Sequence, residues 1–231
     1  MGLDESMLSS LGVQVSLVLL WLALVGATAE LLRRSGQTDP ELIRKVVHIG
    51  VGNVILLAWW LHIPMWLGVS ASILFSAIAL LSYRFPILPV INSVGRRSLG
   101  TFFYAVSFAV LIGYFWTIQR PQYAVLGVLT MTWGDGLAAL IGQRFGKHPF
   151  KVFGMQKSWE GTLAMWAVSY LVSALILGAT QGLTWQTWGV PVIIATVATG
   201  LEAFSVLGID NLTVPLGSGA IAFLLSNLRL G

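Results

Sequence analysis

A chain of 231 residues with 56% hydrophobic and only 10% charged residues lacks the surface of a water-soluble fold, where about a quarter of residues are charged. Its mean hydropathy of +0.83, ten tryptophans and eleven phenylalanines require lipid as the solvent for most of it. The absence of cysteine excludes disulfides and thiolate sites. The net charge of +4 reads as an orientation signal, with no nucleic acid called for as a partner.

The first apolar stretch, 11–32, is about twice the length of a signal-peptide core and runs into Arg33 and Arg34, so it is predicted to span the bilayer and not to be cleaved. Further stretches run 46–61, 65–83, 99–118, 123–142, 162–178, 190–204 and 213–228. They are continuously apolar and not alternating, which predicts helices over barrel strands. At 1.5 Å per residue most cross a hydrocarbon core of about 30 Å, although 46–61 and 190–204 are short. The expectation is an all-α polytopic membrane bundle, one domain over 1–231, with about eight transmembrane helices.

Loop charge sets the orientation. Arg33, Arg34, Arg44 and Lys45 fall in the first connection, Arg84, Arg96 and Arg97 in the third, and Arg144, Lys147, Lys151 and Lys157 in the fifth. Eleven of the 13 basic residues thus share one face, predicted to be cytoplasmic, with both termini opposite. The longest polar connection, about 143–160, lies on that face and is punctuated by Gly146 and Gly154. No internal repeat is evident, which weighs against an inverted-repeat transporter.

Four polar clusters interrupt the apolar sequence. The second span opens on Arg44-Lys45-Val-Val-His48 and continues to Asn53; Lys45, His48 and Gly52 share one helical face. His48 reads either as a core histidine or as a base or phosphate donor. Asp135 lies nine residues before Arg144, about 13 Å inside the helix end. A carboxylate at that depth costs about 3 kcal/mol. It needs a cation, a metal or water, unless a helix–helix pair absorbs it. Lys157-Ser158-Trp-Glu160-Gly161 enters the sixth span, with Ser158 as N-cap. That reads as a phosphate site at a helix N-terminus beside Lys157, or as a well-capped helix with a snorkelling lysine. The fourth cluster holds Glu202, Asp210 and Asn211 before Pro215. Capping accounts for Asp210 or Asn211 but not for Glu202. All four fall at the same face, and oxygen ligands without cysteine suit Mg²⁺, while the cations suit a polyphosphate.

Asp135-Gly-Leu-Ala-Ala-Leu-Ile-Gly-Gln-Arg-Phe-Gly146 followed by Lys157-Ser-Trp-Glu-Gly-Thr162 resembles the nucleotide-binding region of the CTP-dependent polyprenol kinases, which include phytol and dolichol kinases. Arg44-Lys45-Val-Val-His48 is similar to that family's arginine-lysine-x-x-histidine element, and Glu202 with Gly208-Ile-Asp210-Asn211-Leu-Thr-Val-Pro215 to its C-terminal element. Chain length and the wording Thr132-Trp-Gly-Asp-Gly-Leu-Ala look most like phytol kinases. The resemblance implies transfer of the γ-phosphate of CTP to a prenyl alcohol drawn from the bilayer. It matches Asp135 to the family's acidic position, Lys157 and Glu160 to its nucleotide loop, and His48 to its early motif.

The candidate site therefore has Asp135, His48 and Lys157 as catalytic residues, and Asp135, Glu202 and Asp210 as ligands for Mg²⁺. Lys45, Arg144, Lys157, Ser158, Glu160 and Gly161 stand toward CTP, with Asn53 and Asn211 as further polar positions. The rival within reach is a phosphatidate cytidylyltransferase, which shares the aspartate-to-lysine stretch, but its C-terminal signature is missing here. A small transporter is the more distant alternative.

Overall fold

The computed structural model describes residues 10–36, 39–85 and 98–228; Arg96 and Arg97, assigned above to the basic face, lie outside them. Helix α1 (Leu11–Arg34) starts on Ser10, whose hydroxyl accepts from the Val13 amide, and ends where Glu30 pairs with Arg33 and Arg34. Asp39 caps α2 (Pro40–Gly52), with Pro40 at the position that needs no amide hydrogen. A break at Asn53 separates α2 from α3 (Val54–Trp60). Then come α4 (Met65–Arg84), α5 (Gly100–Thr117) and α6 (Pro121–Phe145), which again opens on a proline. The chain closes with α7 (Trp159–Gln181), α8 (Trp185–Ala203) and α9 (Asp210–Ser226).

The most buried helix is α6. Ala124, Val125, Leu126, Val128 and Met131 are wholly enclosed, and α2, α3, α5, α7 and α9 pack around them. Outside this ring, α1 lies on α2 and α3, and α4 on α5. Leu19, Leu24, Leu74, Leu163 and Leu175 are more than half exposed. Such an apolar exterior is what a bilayer demands and water does not tolerate.

The described residues form an all-α bundle, as expected, with one small hairpin in the connection 143–160. Strands β1 (Pro149–Val152) and β2 (Met155–Ser158) pair antiparallel, with Val152 opposite Met155. Phe153 and Gly154 between them have φ of 47° and 80°, the two left-handed positions that a two-residue hairpin turn requires.

Among the described residues six helices are long and apolar enough to cross a membrane, with α2 and α3 counted as one. The stretches expected as seventh and eighth spans do form helices, but less apolar or shorter ones. Trp185-Gln-Thr-Trp188 and Glu202 dilute the apolar content of α8. The 17 residues of α9 rise about 26 Å, short of a core of about 30 Å.

Candidate active site

At one end of the bundle α2, α5, α7 and α9 begin while α4, α6 and α8 end. A cavity of about 1880 Å³ opens there, larger than the roughly 300–1,000 Å³ of an ordinary small-molecule pocket. Its wall includes residues from each of these helices and from the hairpin.

Asp135 projects from the C-terminal half of α6. Its carboxylate oxygen Oδ2 accepts from the Lys45 ammonium of α2 at 2.6 Å. His48, one turn beyond Lys45, brings Nε2 to 3.6 Å of the same oxygen, and this buried nitrogen makes no hydrogen bond. The imidazole stacks on the Tyr104 ring of α5 with centroids 4.5 Å apart. The Tyr104 hydroxyl is in turn hydrogen-bonded to Thr132 of α6. Those two side chains fill the space that any side chain at Gly52 would need, so the shared face of Lys45, His48 and Gly52 is the face turned to α6.

A second pair stands nearer the hairpin. Lys157, in β2, donates to Glu202 Oε1 at 2.6 Å and to the Glu202 backbone carbonyl. Ser158 caps α7 by accepting from the Gly161 amide at 3.1 Å. Gly161 itself sits where α7 crosses α6: a Cβ there would lie 2.8 Å from the Ala138 carbonyl oxygen. This close crossing brings the N-terminus of α7 to the cavity wall.

Asp210 begins α9, and its amide donates to Ser205 Oγ at 3.0 Å. The serine thus accepts at the start of α9 and also stands beside the aspartate carboxylate. That carboxylate accepts from Asn211 Nδ2 at 3.2 Å and makes no ion pair among the described residues. The Leu99 amide donates to the Leu207 carbonyl at 3.0 Å, which fixes the segment before Asp210 against the start of α5.

Asp135, Glu202 and Asp210 each offer an oxygen, all within 4.8 Å of one another. Each lysine takes one oxygen of its partner, so the second oxygens of Asp135 and Glu202 stay available along with Asp210. Hard oxygen donors in this number suit a Mg²⁺ that completes its shell with phosphate and water. The ammonium groups also keep protons in hand, since each carries three donors.

Other residues expected at the site lie apart. Arg144 is exposed and stacks over Phe145 at 5.7 Å. The Glu160 carboxylate holds the His148 ring at 2.7 Å and its amide at 3.3 Å, bracing the hairpin base against α7. Asn53 accepts from the Trp133 indole at 3.1 Å at the α2–α3 break. None of the three lines the cavity, whereas Asn211 does. Sequence reasoning passed over Tyr104 and Ser205. The signal for Tyr104 was faint: a phenol in an apolar span must find a partner within the protein.

Over its full length and that of its relative, the chain is 50% identical to the phytol kinase of Synechocystis sp.. It is 27% identical to phytol kinase 1 of Arabidopsis thaliana, covering 95% of this chain and 78% of that one. Farnesol kinase of the same plant is 26% identical over 83% of this chain and 68% of its own. No protein-family model matches the chain, and no solved structure does.

Proposed function

Because this chain belongs to the phytol kinase family, we propose that it phosphorylates an isoprenoid alcohol such as phytol or geranylgeraniol, with the γ-phosphoryl group of CTP as donor. The product is a prenyl monophosphate, and CDP leaves. The observation that carries this reading is the convergence of three carboxylates and two lysines on one cavity, in a chain half identical to a phytol kinase.

Phosphoryl transfer needs alignment and charge neutralisation more than covalent help from the protein. In this reading the triphosphate lies between Lys45, Lys157 and the α7 N-terminus around Ser158 and Gly161. Asp135, Glu202 and Asp210 hold Mg²⁺. The bound metal would neutralise charge on the phosphate oxygens. The alcohol oxygen attacks the γ-phosphorus as the bond to the bridging oxygen of CDP breaks. Its proton leaves toward Asp135 or His48, which flank the same point. Arg144 stands at the rim, and Glu160 serves the nucleotide loop indirectly by bracing the hairpin.

The basic face, cavity mouth and loop 143–160 face the cytoplasm in this reading, with both termini opposite. That arrangement makes α8 and α9 the seventh and eighth crossings of one membrane domain, sheltered by their neighbours.

Position-specific labelling tests the reaction. With phytol as acceptor, label at the γ position of CTP is expected in the lipid and label at the α position in CDP. Lipid labelled only from the α position, with phosphatidate as acceptor, overturns the kinase in favour of a cytidylyltransferase.

A further inference from the structure

The cavity is lined by two unlike kinds of residue. Besides the carboxylates and lysines it is lined by Val47 and Val51 of α2, Phe75 of α4 and Tyr104 of α5. Val47 and Val51 are one turn apart and form a continuous strip. Phe75 lies nine residues before Arg84, as Asp135 lies nine before Arg144, so both sit about 13 Å from their helix ends. Phe75 is thus set as far along α4 as Asp135 is along α6.

Helix α4 packs along α5, and α2 packs along α1 and α6; α2 and α4 both line the cavity. On α4, Ile73 and Leu74 beside Phe75 are more than half exposed, so this stretch of α4 meets lipid. A water-soluble occupant gains nothing from a half-buried phenylalanine and two valines. A hydrocarbon chain arriving in the plane of the bilayer does.

We infer that the α2–α4 seam is the lateral portal for the alcohol substrate, and that Phe75, Val47 and Val51 touch the isoprene unit next to its hydroxyl. The rest of the chain lies in the bilayer. The protein then reads the head of the prenyl chain and not its total length. This rests on the prenol kinase reading given above and adds to it the place where the substrate is recognised.

A geranylgeraniol analogue carrying a diazirine on the unit beside the hydroxyl, irradiated with the full-length protein in nanodiscs, tests the portal without reference to turnover. Label is expected on α2 and α4, at Val47, Val51 or Phe75, and is expected to fall when phytol is added in excess. Label confined to α7 and α8, or label on α4 that phytol does not reduce, overturns the portal. Kinetics supply the second measurement. Phe75→Trp is expected to raise the KM for phytol about tenfold and leave the KM for CTP unchanged, with Phe75→Leu near the parent. A parent that transfers γ label and a Phe75→Trp variant with unaltered KM for phytol also overturn it. A parent that transfers no γ label counts against the kinase reading instead, and the competed labelling still decides the portal.

Discussion

Lys45–Asp135 and Lys157–Glu202 are the same chemical pair at the same 2.6 Å, yet their settings differ. The first joins two long helices, with Lys45 only 1% exposed. The second joins a strand of the hairpin to the end of α8, with side chains 17% and 13% exposed. An ammonium so deeply enclosed ties α2 to α6 through Asp135, so the first pair braces the bundle as well as lining the cavity. The second is partly open to water, and its lysine lies on the hairpin and not on a helix. Burial of the lysine, more than the ions themselves, separates the two pairs.

The largest effect that tests this contrast is expected on stability. Lys45→Met strands the Asp135 carboxylate, and breaking a buried pair from one side costs about 3–5 kcal/mol. Melting in detergent is expected to drop sharply, and Lys45→Met with Asp135→Asn to restore it without restoring phosphate transfer. A single variant that melts like the parent would place Lys45 outside the structural frame.

Next is Asp135→Asn alone. The amide oxygen still accepts from Lys45, so melting is expected between the parent and Lys45→Met. Activity is expected to fall at least about a hundredfold, since loss of one preorganised charge at a reacting phosphate costs roughly 3 kcal/mol. A fully active variant would reduce Asp135 to a packing role. The smallest effect is that of Lys157→Met. The KM for CTP is expected to rise about tenfold, about 1.4 kcal/mol, with melting little changed because Glu202 is left within reach of water. A stability loss as great as that of Lys45→Met would erase the distinction between the pairs.

Much of this site was legible in the sequence because charge is expensive in lipid. Asp135 and Glu202 announced themselves by position alone, and Ser158 by its place before an apolar run, where it does cap α7. The partners were not legible. Lys45 is 90 residues from Asp135 and Lys157 is 45 from Glu202, and no local spacing encodes a contact made by tertiary packing. The hairpin escaped notice for a different reason. Its strands are four residues each, and its turn reads Phe-Gly, without the Asn-Gly or Asp-Gly that marks two left-handed positions. Arg144 shows a third failure: loop charge puts it at the right end, but the phase of α6 turns it away from the cavity.

The 90-residue separation of Lys45 and Asp135 also bears on how the chain is made. At about 5–20 residues per second, the ribosome delivers the aspartate roughly 5 to 20 seconds after the lysine. During that interval α2 is in or beside the translocon with Asp135 not yet made. Lys45 lies five residues from the start of its helix, about 8 Å, within reach of the headgroups for a long flexible side chain. The lysine can wait in the interface and be drawn inward when α6 arrives. An aspartate in the earlier helix would have no such reach, so the order of the two charges along the chain suits co-translational assembly.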